Sequence, residues 1–154
     1  MTRAEAEEWN AFFLKLNGRY GTFLMGDPLG ATPRGVAKDN SDTLRVNGGS
    51  QTGSTLNIDG ATVSQTGYFK SGDYIQLGSG ATAKLYKILD DADSDASGNI
   101  ALNIYPEIKT AYDDDAIITF TNAKGVFRLN SNDMQWAIAN NQLYSLTFGA
   151  VEAL

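Results

Sequence analysis

The chain has no cysteine and no histidine. That excludes disulfides, thiolate chemistry, imidazole acid/base work and the commonest zinc ligands together. Basic residues are outnumbered, with 12 Lys and Arg against 18 Asp and Glu and a formal charge of −6, so the chain repels a phosphate backbone and nucleic acid is not an expected partner. No apolar run reaches the roughly 18 residues of a membrane span. The N-terminus lacks the basic-then-apolar pattern of a signal peptide, and a soluble protein made in the cytosol is expected. What the chain has in quantity is glycine, 16 in 154 residues against three prolines. With its many Thr, Ser, Asn and Asp, this composition favours short strands joined by turns. The length suits one domain, or one domain carrying an insertion, able to bury a core without metal or disulfides.

Thr2 and Glu5 are spaced as a capping box, which starts a helix. Glu5, Glu7 and Glu8 lie at its positive end, Lys15 near its negative end, and Gly18 suits the left-handed position after it. Ala6, Trp9, Phe13 and Leu16 recur at spacings of three and four, and Phe12 widens the stripe. A lone helix of about 15 residues is marginal in water. Its aromatic face therefore has to be covered by a sheet.

Tyr20, Phe23 and Leu24 read as a first strand, with Gly21 as a kink, ended by Gly26-Asp27-Pro28. Leu29 to Arg34 reads as a connector. From 35 to 124, β-prone runs at 43–46, 55–58, 74–77, 83–89, 100–105 and 117–121 alternate with turn clusters, the pattern of a small barrel or sandwich. Ser50-Gln51-Thr52-Gly53 recurs as Ser64-Gln65-Thr66-Gly67, which matching hairpin ends explain. From Gly125 three strands are expected: Val126 to Leu129, Gln135 to Ile138 and Leu143 to Phe148. They are separated by turns at Asn130 to Asp133 and Asn140-Asn141, and pair as a meander. Trp136, Tyr144, Leu146 and Phe148 supply the helix cover. The expected fold is mainly β: a β-sandwich-like base with one N-terminal amphipathic helix (1–34 and 125–154) and an inserted small β-barrel (35–124). Its core and interface residues are Trp9, Phe12, Phe13, Leu16, Tyr20, Phe23, Trp136, Tyr144 and Phe148.

Asp91, Asp93 and Asp95 alternate as the first ligands of a Ca²⁺ loop do, but Ala96 replaces the loop glycine and Leu102 the bidentate Glu. They are weak metal candidates, and a solvated hairpin tip between strands at 83–89 and 100–105 accounts for them. Asp113-Asp114-Asp115 reads as a wet loop. Asp73 and Glu107 are the acids set beside strand aromatics, and both read as strand-end turn residues. There is no nucleophile elbow and no phosphate-binding loop, so neither an enzyme nor a cofactor is expected. Tyr68, Phe69, Tyr74, Tyr86, Tyr105 and Tyr112 distribute aromatic groups through the insertion, half or more of them core. Exposed ones would stack on a sugar or a protein.

Residues 8–28, Phe69 to Leu77, Lys124 to Leu129 and Phe148 to Leu154 together resemble, in order, a tail structural protein family of siphophage-type viruses and prophages. Within it the resemblance points to the distal tail protein, the ring joining tail tube to tail tip. It implies a virion tail component, assembly into a hexameric ring, and contacts with tube and tip proteins, with a host-surface glycan as the alternative partner of the insertion. Members of that family begin with β-structure ahead of this helix, whereas Met1 here immediately precedes the cap. That difference implies sheet edges left for neighbouring subunits to complete.

Overall fold

The computed structural model describes residues 1–132, 135–138 and 144–153. Helix α1 (Arg3–Leu16) is capped at both ends. The Thr2 hydroxyl accepts the Glu5 amide at 3.4 Å and the Glu5 carboxylate accepts the Thr2 amide at 2.7 Å, satisfying two of the donors that a helix start leaves without intrahelical partners. These bonds hold the Glu5 carboxyl below its ordinary pKa. Asn17 and Gly18 are both left-handed, with φ of 52° and 67°, which ends the helix, and the Gly21 amide turns back to the Leu16 carbonyl at 2.7 Å. Strand β1 then covers Thr22–Met25. It starts later than the sequence suggests, because Tyr20 lies in the tight return and is 90% exposed.

Two compact units divide the chain, Met1–Leu24 with Val126–Leu154, and Met25–Gly125. Residues 25–34, which the sequence groups with the helix, make their recorded hydrogen bonds inside the second unit: the Asn122 amide donates to the Ala31 carbonyl at 2.6 Å and the Arg34 amide to Asp73 at 3.0 Å.

The second unit is one six-stranded antiparallel sheet. Its strands are β2 (Arg45–Val46), β3 (Thr55–Asp59), β4 (Tyr74–Leu77), β5 (Lys84–Ile88), β6 (Ile100–Tyr105) and β7 (Ile118–Thr119), in the order β2-β3-β6-β5-β4-β7. The ends of that order meet. The Val46 amide donates to the Ala116 carbonyl, Asp115 to Val46 and Ile118 to Leu44, each at 3.0 Å, so the sheet closes nearly completely into a barrel. Period-two alternation decides what it encloses. Ile100, Leu102 and Ile104 point inward while Ala101, Asn103 and Tyr105 point out, and Leu56, Ile58, Ile75, Leu77, Tyr68, Phe69 and Tyr86 complete a core with no exposed surface. Both copies of the Ser-Gln-Thr-Gly tetrapeptide adopt the same turn, with positive φ at Ser50 and Gly53 and again at Ser64 and Gly67.

The chain returns in β8 (Gly125–Leu129), β9 (Gln135–Ile138), β10 (Tyr144–Thr147) and β11 (Ala150–Glu152). These do not form the expected meander. Strands β9 and β10 pair with each other, Trp136 opposite Leu146, but β8 lies between β1 and β11 in a separate sheet. The reason is β11, too short and too weakly β-prone to be read from sequence. It takes one edge of β8 with Ala150 opposite Leu129, extended by the Asn130 amide to the Gly149 carbonyl at 3.0 Å. The Asn140-Asn141 turn and the Trp136 side chain lie outside the described residues.

Phe13, Leu16 and Leu129 are buried beneath α1, with Phe12, Phe23, Leu146 and Phe148 packed around them. The ring of Phe148 lies 4.9 Å from that of Phe13 and 6.3 Å from that of Trp9, pair geometries worth about 0.5–1.5 kcal/mol each beyond area burial. Trp9 stacks on Phe13 at 5.9 Å yet stays 44% exposed, because it sits at the border of the stripe. Tyr144 is half-buried, and its backbone exchanges hydrogen bonds with Met1 in both directions, at 2.9 and 3.0 Å. Replacing the central ring, Phe13→Ala, is expected to destabilise this unit by about 3–5 kcal/mol. Both tryptophans lie in it, so a denaturant titration followed by tryptophan fluorescence would show the midpoint fall.

Candidate interaction site

The acidic residues of the second unit act on its own backbone. Asp91 accepts Lys70 Nζ at 2.7 Å and the Ser71 amide at 2.9 Å, and these bonds hold its carboxyl below the ordinary range. Asp93 accepts the Gly67 amide. Asp95 accepts the Asn99 side chain and the amides of Asn99 and Ser97, at 2.9, 2.8 and 2.7 Å, and is likewise lowered. Between them the buried Ser94 accepts the Gln65 amide at 2.8 Å and donates to the Thr62 carbonyl at 2.6 Å. The three aspartates are exposed, in the connection between β5 and β6 where the sequence puts them, but they also bind protein donors. Strands β5 and β6 pair only at Lys87 and Ile88, and segment 90–99 is instead laid against 61–72, with Phe69 bridged to Ala92. Each of the three aspartates answers a different set of donors. Among the described residues no group of three or more Asp, Glu, His or Cys is placed to hold a metal ion.

Two further carboxylates, given no such role by the sequence, bind the same loops. Asp42 accepts the Tyr68 hydroxyl at 2.7 Å, the Thr62 amide at 2.6 Å and the Thr62 hydroxyl at about the same reach. Burial pushes its carboxyl up, but the hydrogen bonds from Tyr68 and Thr62 outweigh burial and leave it lowered. The buried Tyr68 is shifted the other way, upward, by burial first and by its bond to Asp42 second. Asp73, itself buried, takes the Arg34 and Lys70 amides at 3.0 and 2.9 Å and the Arg34 guanidinium at 3.4 Å. Glu107 is exposed. The two acids set beside strand aromatics thus stand in different settings, one closed by donors and one in solvent. Asp114 accepts the Gly48 amide at 2.8 Å, so the second acidic loop is also a backbone cap.

The aromatic residues of the insertion turn inward. Tyr68, Phe69 and Tyr86 have no exposed surface, Tyr86 and Tyr112 join hydroxyls at 3.0 Å, and Tyr74 is capped by Lys87 Nζ at 4.9 Å from the ring centre. Tyr105 alone of the five tyrosines of this unit is exposed, at 68%. The expected platform of exposed tyrosines is reduced to one ring: Tyr86 falls on the inward face of β5, Tyr68 is buried in a loop, and Tyr74, on the outer face of β4, is half-buried beneath Lys87.

Surface apolar groups lie elsewhere. In the first unit Leu24 and Val151 are exposed on β1 and β11, the two edge strands of one sheet, and Tyr20 stands beside them in sequence. In the second unit Leu29 is 98% exposed, on a turn where Asp27 accepts the Leu29 amide through its carboxylate at 2.9 Å and the Gly30 amide through its carbonyl at 3.1 Å. A cleft of about 140 Å³ lies at the foot of this turn, lined by Gly26, Asp27, Pro28, Ala31, Asn122, Ala123 and Lys124. Sequence reading missed Leu29, although an apolar residue at the tip of an Asp-Pro-x-Gly turn is itself a signal: the turn chemistry is polar and the leucine does nothing for it.

A family model described as the distal tail protein pb9, B domain, matches residues 36–123, more than half of the chain. The match spans all six strands of the barrel. No curated protein matches the chain.

The Asp42–Tyr68 pair sets a pH window. A carboxyl lowered in the fold contributes stability above its unfolded pKa near 3.8, and that contribution is lost as acid protonates it through the lowered folded value. A phenol raised in the fold contributes below its unfolded pKa near 10.0 and loses that contribution as pH rises above it. Tyr68→Phe is expected to cost about 1–3 kcal/mol at neutral pH. It should also flatten the decline of the melting temperature below pH 4 and above pH 10, read by circular dichroism.

Proposed function

The chain belongs to the distal tail protein family, and on that premise we propose that it is a subunit of a ring that joins a phage tail tube to the tail tip, with six copies by resemblance. A structural role in the phage virion tail follows from the family. The ring and its position are our reading, and one observation carries it. The base sheet β1-β8-β11 ends in two different edge strands, each with an exposed apolar side chain, Leu24 on one and Val151 on the other. A ring requires a heterologous interface, in which two unlike surfaces of one subunit meet those of its neighbours. Unpaired strand edges are ready-made templates for such contacts. The barrel, by contrast, has nearly closed its own edges.

In this role the protein does no chemistry. Six aspartates of the lobe are occupied by backbone amides, and the protein's working energy is the area buried between copies, on the order of 1,000 Å² or more per contact for a stable interface. A glycan-binding role for the lobe would have to rest on Tyr105, since Tyr74, in the same cross-strand row, is capped by Lys87.

Size-exclusion chromatography with light scattering, alone and with tail-tube and tail-tip proteins, tests the proposal. A closed oligomer is expected, or its appearance on adding a tail partner. A species that stays monomeric in every mixture would sink it. Lysine at both edges, Leu24→Lys with Val151→Lys, is expected to leave the monomer folded and abolish the oligomer.

A further inference from the structure

Asn-Gly occurs twice in the chain, at 17–18 and 47–48. In this dipeptide the side-chain amide is open to attack by the next backbone nitrogen, because glycine puts no side chain in the way. The fold treats the two copies differently. Asn17 is the left-handed cap of α1, with ψ of 51°. Ring closure needs the asparagine Cβ and the following nitrogen on the same side of the Cα–C bond, and that ψ sets them on opposite sides. The Asn17 amide bonds to the Leu14 carbonyl at 3.1 Å and the Arg19 amide to the Asn132 side chain at 2.9 Å, which holds the cap in place.

Asn47 sits in another setting. It follows β2 where the chain bends away from the sheet, it is exposed, and its φ is not left-handed. Gly48 takes φ of 89°, with open space where a Cβ would stand. The peptide group between them is gripped on both sides. Gln51 Nε2 donates to the Asn47 carbonyl at 2.9 Å, and the Gly48 amide donates to the Asp114 carboxylate at 2.8 Å. A donor on the oxygen and a carboxylate on the N–H polarise a peptide toward its deprotonated, nucleophilic form, as a general base and an oxyanion donor do at an active site. The side chain under attack is oriented as well. Its Nδ2 donates to Asn99 Oδ1 at 3.0 Å, and Asn99 is pinned in turn by Asp95 at 2.9 Å. Asp114 reaches Gly48 because barrel closure lays 112–116 beside 46–50.

We propose that Asn47-Gly48 is a self-modification site, at which the Gly48 nitrogen attacks Asn47 Cγ with Asp114 as base and Gln51 as donor to the peptide oxygen. The bond from Gly48 nitrogen to Asn47 Cγ forms, the Cγ–Nδ2 bond breaks, and the proton taken by Asp114 leaves with Nδ2 as ammonia. Water then opens the succinimide at either of its carbonyls, leaving aspartate or isoaspartate at 47. The isoaspartate route adds one carbon to the main chain inside the seam. It falls between the Val46 amide, bonded to Ala116, and the Ser50 amide, bonded to Tyr112 at 2.8 Å, so the modification loosens the closure of the lobe.

Full-length protein would be incubated at neutral pH, both folded and in guanidinium. Both asparagines would be followed by peptide mapping with mass spectrometry and by isoaspartyl methyltransferase labelling. In the fold, Asn47 is expected to convert on the order of tenfold faster than in denaturant, base assistance being worth roughly 10²–10⁴-fold in enzymes. Asn17 is expected to convert in denaturant only. Asp114→Asn and Gln51→Leu, each with a folded circular dichroism spectrum, are expected to bring the folded rate at Asn47 down to the denatured rate and to leave the denatured rate unchanged. A role confined to holding the loop would have the opposite sign, since freeing the loop would speed conversion. The isoaspartyl fraction, separated by ion exchange, is expected to melt at a lower temperature than unconverted protein. Conversion of Asn47 no faster in the fold than in denaturant, or Asp114→Asn converting as fast as wild type, would overturn the assignment.

Discussion

Closure of the barrel is the constraint on which the rest depends. Three backbone hydrogen bonds between residues 44–46 and 115–118 join the first and last strands of the sheet, and in doing so they remove the exposed edges of a six-stranded lobe. The strands are short, two of them only two residues long, so the loops between them carry much of the chain. A backbone that cannot pair with a strand must pair with something else. In this lobe it pairs with carboxylates: Asp42, Asp73, Asp91, Asp93, Asp95 and Asp114 each accept at least one backbone amide.

That one requirement gives six of the 18 acids of the chain a structural role. Hydrogen bonds donated to a carboxylate favour its ionised form. Those from the Lys70 and Asn99 side chains lower Asp91 and Asp95, while at Asp42 burial pushes upward but the Tyr68 hydroxyl and the Thr62 donors outweigh it. It also accounts for the positions of the acids. They fall beside turns at 40–42, 70–73 and 90–95, where the backbone departs from the sheet, and not on inward-facing strand positions. The lobe that results is closed to strand addition, and its one prominent exposed leucine is held out on a turn fixed by another aspartate, Asp27.

The first unit solves its stability differently. Five aromatic rings, Trp9, Phe12, Phe13, Phe23 and Phe148, stand within 6.5 Å of at least one other member, and the helix that carries three of them is capped by its own side chains. Its strands leave β1 and β11 at the margins of a three-stranded sheet. The same chain thus holds a lobe without edges and a base with two.

Local chemistry determined a large part of this protein from sequence. The capping box at Thr2 and Glu5, the left-handed turn at Asn17-Gly18, the alternating runs at 74–77 and 100–105, the mainly β fold with one helix, and the likeness to a phage tail family all depend on residues close together in the chain. Only the tertiary structure decided the partners. Strand β11 takes the edge of β8 that a meander would have used. Asp91 and Asp93 accept backbone amides of Ser71 and Gly67, twenty or more residues away, while Asp95 caps its own turn at Ser97 and Asn99. Tyr68 and Tyr86 are drawn into the core while Tyr105 is left in water. Each of those outcomes is a competition between distant segments for the same hydrogen-bonding edge or the same dry volume. Such competitions are settled by packing and backbone pairing, for which neighbouring residues hold no record.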